Sequence, residues 1–355
     1  MSVAAPAFFA LAVAAAPSTS APASLQSKTA CTSSCDVSSA LSAMLNQSSC
    51  PSADEMYLAM AAVAPQPRTF MSVGCNRGED LVRFAQMFDR TGTYNHSAWV
   101  GALEASGLQA RYDVCGATVP ASVAGAPPAP DGMDARRAPV AYCVEGMRSN
   151  VQLLNATVAR LPPALASSFR VVGKAFGDAD EAGGTQRFVD CPPGYEASGL
   201  GKPTGGLGPI TDCDEAYVSV DSVDTYMEAH GLTTLDALFV DTEGHDPAVL
   251  RGASRLLARG AVRYVEFEVH RDLPFSVWAE SRLLSDVTTP LLEANGYECY
   301  WMGHERLTRL SGCHLPVYDH EALSWSNVAC VLRTDPWHAV VDARAAGGLC
   351  EVWGE

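Results

Sequence analysis

The stretch Leu235–Gly252, read LDALFVDTEGHDPAVLRG, limits the architecture of this chain more than any other. Leu235–Val240 reads as an apolar strand that hands Asp241 and Glu243 to a glycine turn at Gly244. A helix begins at once, with Asp246 suited to its cap, Pro247 to its first position and Gly260 to the exit. Acidic side chains are thereby placed at the carboxyl end of a strand, where open α/β sheets bind ligands.

Strand-turn-helix units recur on both sides. Thr69–Val73 reads as a strand, Gly74-Cys75-Asn76-Arg77-Gly78 as its tight exit, and Leu81, Val82, Phe84, Ala85 and Phe88 as the buried face of the next helix. Pro139–Val144 is a strand ending at Glu145, followed by a helix over Asn150–Leu161, a strand over Ser168–Lys174 and a turn, Ala175–Asp180, that holds Phe176 and Asp178. Val218–Val220 leads into a short helix; Tyr264–Val269 is a strand, Phe275–Ala294 a long helix, Tyr297–Met302 and Arg306–Leu310 short extended pieces, and Asn327–Leu332 the last strand. This order predicts an α/β fold, a Rossmann-like, mostly parallel sheet with an antiparallel terminal strand and helices on both faces. The domain is expected over 67–335, with insertions near 101–138, where Pro120, Pro127, Pro128 and Pro130 break regular structure, and near 190–215. Residues 22–66 read as a cysteine-containing helical extension and 336–355 as a tail.

Charge narrows the partners. Lys and Arg total 24 against 40 Asp and Glu, a net charge of -16, so a phosphate-binding surface would be a local exception and nucleic acid is not expected. Ala4–Ala16, with Phe8, Phe9, Leu11 and Val13, resembles the hydrophobic part of a secretory signal, so residues 1–21 are expected to be a signal peptide and the protein to enter the secretory pathway or be secreted. No Lys or Arg precedes that run, which leaves a cytoplasmic or organellar location as the alternative. No later run is long and charge-free enough for a membrane span. The 12 cysteines lean toward an oxidising compartment; a Cys191–Cys213 disulfide would close a Gly/Pro-rich segment, whereas Cys75, Cys143 and Cys330 sit in core segments that suit free thiols. Asn46, Asn95 and Asn155 begin glycosylation triplets.

Several residues carry chemistry. The Gly74–Gly78 loop lets backbone approach a nucleotide-like ligand, yet lacks the Gly-Lys-Ser/Thr ending of a phosphate-cradling loop. Glu145 has the two acceptor oxygens a ribose diol needs, although a solvated glutamate at a strand exit reads equally well. Asp241 and Glu243 suit positioning of a hydroxyl or an amine; as metal ligands they are too few, and no metal site is assigned. His245 and His270 follow different strands that converge at one edge, and either imidazole could accept a hydroxyl proton near neutrality. Glu266 and Glu268 alternate with apolar residues and read as an ordinary strand pair, without the cross-pocket spacing of a glycosidase.

Taken together, MSVGCNRGE (Met71–Glu79), YCVE (Tyr142–Glu145), AFGD (Ala175–Asp178), LDALFVDTEG (Leu235–Gly244), VLRGA (Val249–Ala253), the strand through Glu268 and SNVACV (Ser326–Val331) resemble the ordered motifs of the FkbM-type family of S-adenosylmethionine-dependent O-methyltransferases. The resemblance implies methyl transfer to a hydroxyl of a carbohydrate or small metabolite. It places Glu145 on the ribose, Phe176 and Asp178 near the adenine, and Gly74, Asn76 and Gly78 along the amino-acid portion. Asp241, touching cofactor as well, and Glu243 would lie nearest the reacting centre, with His245 or His270 as base. Ser72, where the family often has an acid, Cys75 in place of a small residue, and Pro192–Asp212 depart from the pattern. A catalytically inactive cofactor-binding or scaffold protein of the same fold is the alternative function, and metal-dependent hydroxyl methylation the alternative mechanism.

Overall fold

The computed structural model describes residues 53–63, 68–108, 137–195, 200, 213–270, 278, 283–303, 306–312, 316–319 and 325–346. Its strands are β1 (Thr69–Val73), β2 (Val140–Val144), β3 (Phe169–Val172), β4 (Ala175–Phe176), β5 (Thr185–Asp190), β6 (Asp214–Asp221), β7 (Leu235–Val240), β8 (Val262–His270), β9 (Tyr297–Met302), β10 (Leu307–Arg309), β11 (Trp325–Leu332) and β12 (Ala345–Ala346). Its α-helices are α1 (Asp54–Val63), α2 (Glu79–Phe88), α3 (His96–Ala105), α4 (Arg148–Val158), α5 (Pro163–Ser168), α6 (Val223–Ala229), α7 (Asp246–Gly252), α8 (Ser254–Ala258), α9 (Leu284–Leu291) and α10 (Pro336–Ala343).

Nine strands form one sheet in the order β12-β10-β9-β11-β8-β7-β1-β2-β3. From β8 to β3 all neighbours are parallel, with Met71 opposite both Leu238 and Tyr142. β11 runs antiparallel between β8 and β9, which bears out the expected terminal antiparallel strand and the Rossmann-like fold class. The run Ala237–Val240 is apolar without a break because both faces of the sheet are covered there. One face packs Val249, Leu250, Leu256, Leu257 and Val287 from α7, α8 and α9, and the other packs Leu81, Val82, Phe84 and Phe88 from α2 with Trp99 and Leu154. Each such side chain contributes about 2 kcal/mol by leaving water. The chain starts at β1, steps outward through β2 and β3, and returns to the other side of β1 at β7. Connections therefore diverge between β1 and β7, which opens a crevice at their carboxyl ends.

Several elements differ from the sequence reading. Residues 336–346 are no tail: Trp337 is fully buried, its indole N–H donates to the Met60 carbonyl at 3.0 Å, and β12 extends the sheet beside β10. Nor is α1 a separate extension, since Met56 and Met60 are buried in the core and Tyr57 donates to Glu266 at 2.5 Å. The expected long helix over Phe275–Ala294 is α9 with a 3-10 turn at Glu293–Asn295; Pro290 sits in the last turn of α9, and 271–277 and 279–282 lie outside the described residues. β6 is far longer than Val218–Val220, and β4, read as turn, pairs with it in a small sheet of order β4-β6-β5. Cys191 and Cys213, which the sequence leaves open to pairing, form a disulfide, and Cys75 bonds to Cys143 and Cys330 to Cys299, so these core cysteines are not free thiols. Of the glycosylation triplets, Asn155 leads to Thr157, which is fully buried in α4 and bonded to the Leu153 carbonyl. The signal-peptide segment and Asn46 lie outside the described residues.

Candidate functional site

At the end of β1 the chain turns at Gly74 with φ +81°, and a Cβ there would overlap the carbonyl oxygen of Asp241. Glycine thus lets the turns after β1 and β7 lie in contact. The Asp241 amide donates back to the Val73 carbonyl at 2.9 Å, and the Gly74 and Cys75 amides donate to the Val144 carbonyl at 2.9 and 3.2 Å. Three strand ends are thereby tied into one floor. Asn76 (φ 48°) and Gly78 (φ 75°) continue the loop in left-handed conformation. The Asn76 amide donates to Glu145 Oε2 at 2.9 Å, and its side-chain oxygen accepts from Asn150 Nδ2 at 3.1 Å.

Glu145 is 6% exposed, and its other oxygen accepts the Met147 amide at 2.7 Å. Burial raises its pKa to about 7, against the lowering effect of these amides and of Asn150. A carboxylate held against a glycine loop is the acceptor a ribose diol requires, and further lone pairs remain on both oxygens. Gly74, Asn76, Gly78 and Glu145 are therefore together, and they fit a nucleoside cofactor.

The residues expected at the adenine sit differently. Phe176 is 1% exposed and packs in the core with its ring 5.4 Å from that of Tyr226. Asp178 accepts from Arg251 Nε at 2.6 Å and from the Ala179 amide at 2.6 Å, which ties the loop after β4 to α7. In the same loop Glu181 accepts from His245 Nε2 at 3.3 Å and from Gln186 at 3.0 Å. The imidazole chiefly holds the Glu181 carboxyl down at about 2. His245 is thus oriented by an acid far away in sequence.

The turn after β7 carries the remaining acids. Asp241 is exposed at the edge; Glu243, half-buried, has φ 56° before Gly244 at 96°. Asp246 is fully buried and accepts the Thr242 and Gly244 amides at 3.3 and 3.1 Å, so it folds the turn. Burial, and then the nearby Glu268, push its pKa well up. On β8, Glu266 and Glu268 share a face as the alternation requires, but neither is solvated. Glu266 accepts from Tyr57, Tyr264 and Asn327. Glu268 Oε1 accepts the Trp325 indole N–H at 2.6 Å, whereas its Oε2 stands 3.5 Å from His270 Nδ1. Glu243 Oε2 lies 3.5 Å from the same nitrogen. Burial lowers the His270 pKa, but the two flanking carboxylates outweigh it and raise it to about 10. A ring charged at neutral pH accepts no proton, so His270 in this arrangement is not a base.

Asp241, Glu243, His245 and His270 therefore share one edge with the glycine loop, while Phe176 is structural. Sequence reasoning missed Glu181 and Glu268, and it misplaced Asp246, which is the first helical residue after His245 at the cap and folds the turn ahead of the helix instead of capping it. Only Glu268 left a signal: with His270 it forms a Glu-x-His pair at the end of the strand beside the acidic turn. At this edge Glu243, Glu268 and His270, not Asp241 with Glu243, make a cluster with metal-ligand spacing.

Residues 196–299 match the family model described as "Methyltransferase FkbM domain". No curated protein matches the chain. Among solved structures, the chain is similar to a methyltransferase FkbM from Methylobacillus flagellatus KT at 12% identity and TM-score 0.37, over 76% of this chain and 44% of that one. It is also similar to a candidate methyl transferase from Burkholderia thailandensis bound to S-adenosyl-homocysteine, at 12% identity and TM-score 0.20, over 82% of this chain and 61% of that one. The chain thus spans less than half the length of the first of these. Among the described residues no helix is long and apolar enough to cross a membrane. The match over 196–299, less than a third of the chain, takes in β6, β7 and β8, so the similarity to the FkbM methyltransferase domain is carried by the part that holds the acidic turn.

Proposed function

We propose that the protein transfers a methyl group from S-adenosylmethionine to a hydroxyl oxygen of a carbohydrate or small metabolite. One observation carries this reading above the others: the contact of Gly74 with the Asp241 carbonyl joins a cofactor-type loop and an acidic turn at the crevice where the connections diverge. When bound, the cofactor would supply an activated methyl; the hydroxyl oxygen's pair would form the new C–O bond, the C–S pair would stay on sulfur, and the hydroxyl proton would pass to His245 and on to solvent. Glu145 holds the ribose, and the Gly74–Gly78 backbone, which its glycines leave open to close approach, lies along the amino-acid part. Asp241 and Glu243 orient the acceptor, and alignment of that kind accounts for several kcal/mol, about 7 or more in favourable cases. His245, set by Glu181, is the remaining imidazole for proton removal.

Incubation with methyl-labelled S-adenosylmethionine and fractionated glycans and metabolites, followed by mass analysis, tests this. Label on an acceptor oxygen is expected, and Asp241→Asn should lower turnover at least tenfold while stability shifts by less than about 0.5 kcal/mol, since the side chain is exposed. Cofactor binding with no transfer to any fraction would reduce the protein to a binding module.

A further inference from the structure

We propose that Glu243, Glu268 and His270 form a binding site for a single divalent transition cation, placed to hold the acceptor hydroxyl. The assignment of the hydroxyl rests on the methyltransferase reading; the cation site itself does not.

Three observations support it. The ligand atoms of the three residues all lie within 4.8 Å of one another, and His270 Nδ1 is 3.5 Å from an oxygen of each acid. Neighbouring ligands on an ion with bonds of about 2.1 Å stand roughly 3 to 3.4 Å apart, so small side-chain shifts close the shell. Secondly, Glu268 is 7% exposed, yet its Oε2 has no hydrogen-bond partner, and neither has His270 Nδ1. At 3.5 Å these atoms face one another within ion-pair range without making a hydrogen bond. The hydroxyl of Thr242, next to Glu243, is likewise buried without a partner. Buried polar atoms left unsatisfied in this way call for an ion or a water. Thirdly, the indole of Trp325 fixes the other oxygen of Glu268 at 2.6 Å, the kind of outer contact that orients a metal ligand.

The donor set decides the ion. Two carboxylates with one imidazole, whose Nδ1 gives up its proton to the ion, suit manganese, iron, cobalt or zinc better than calcium, which takes more oxygen ligands. Three protein ligands leave coordination positions for water or a substrate oxygen, and a bound cation orients a hydroxyl and lowers its pKa. A second cluster of similar spacing, Glu298, His338 and Asp342, is already crossed by Arg309, which pairs with both acids, and no acid oxygen there is orphaned.

The test is Mn2+ titration of the full chain after chelator treatment, read by electron paramagnetic resonance of the free ion and by calorimetry. One ion per chain is expected, with affinity at least tenfold weaker in Glu243→Gln and in Glu268→Gln and unchanged in Asp342→Asn. Glu243 is only half-buried, so its variant carries the test if the Glu268 variant misfolds. No saturable binding, or equal affinity in wild type and both Glu variants, overturns the site. S-adenosylhomocysteine binding is measured on the same samples: cofactor without Mn2+ binding overturns the cation site alone, and Mn2+ without cofactor binding upholds it while overturning the methyltransferase reading.

Discussion

Glu145 shows how one buried acid couples cofactor binding to pH. Its pKa in the folded chain, about 7, lies above the ordinary 4.5. The sign follows: the neutral form suits the empty fold, so its stabilising contribution is complete below the unfolded pKa and fades as pH rises through 7. A ribose diol donates two hydrogen bonds and needs the ionised form, so binding pulls the other way. Affinity for S-adenosylhomocysteine should fall as pH drops below 7, approaching about tenfold per unit, with a proton released on binding near pH 6. Glu145→Gln should remove that slope and weaken binding about tenfold or more, the scale of hydrogen bonds to a charged group. Calorimetry in buffers of different ionisation enthalpy measures both, and a flat wild-type profile would dismiss Glu145 as the ribose acid. Glu145, Asp241 and Glu243 were legible because each follows an apolar strand directly. Glu181 was not, since its partner His245 arrives from another element and no spacing announces such a meeting; Glu268 had its spacing to His270 but not the contacts from Glu243 and Trp325.

Elements were legible where periodicity and punctuation agreed, as at β1, β2, β7 and β9. They failed where tertiary pairing decides. β4 is two residues that count as strand only because β6 lies alongside, and β6 gains its length from β5. The small sheet also reaches the cofactor loop. Beyond β5, the Gly194 amide donates to Asn150 Oδ1 at 2.7 Å, and Asn150 in turn donates to Asn76. Ser149 binds the Cys191 carbonyl at 2.5 Å, so the Cys191–Cys213 disulfide anchors this chain of contacts. Closing a loop with a sequence separation of 22 stabilises by about 3 kcal/mol in the chain-entropy account. The double variant Cys191→Ser, Cys213→Ser should lose about that much in urea denaturation and bind S-adenosylhomocysteine several-fold more weakly. Unchanged affinity at reduced stability would detach the small sheet from the site.

Across the whole molecule, the face of the sheet opposite α7 and α8 is sealed by pieces from both ends of the described chain. Trp337 of α10 packs against Phe88 at 5.3 Å, bonds to the Met60 carbonyl of α1 and lies under the Arg263 guanidinium at 3.9 Å. Arg263 reaches on to Asp236 and Asp335, and Tyr57 of α1 closes over Glu266. A linear reading sets these segments outside the domain because their few apolar residues cannot reveal a partner 277 positions away. The same contacts make them part of the cooperative unit. Trp337→Ala should therefore cost about 3–5 kcal/mol, the range for emptying a buried aromatic site, whereas Trp337→Phe, which keeps the ring but loses the indole hydrogen bond, should recover much of it. In urea denaturation followed by far-ultraviolet circular dichroism, both variants should unfold in one transition with a lowered midpoint. A loss below 1 kcal/mol in Trp337→Ala, about the effect of an ordinary surface substitution, would return 336–346 to the status of an appendage and leave α1 without its anchor.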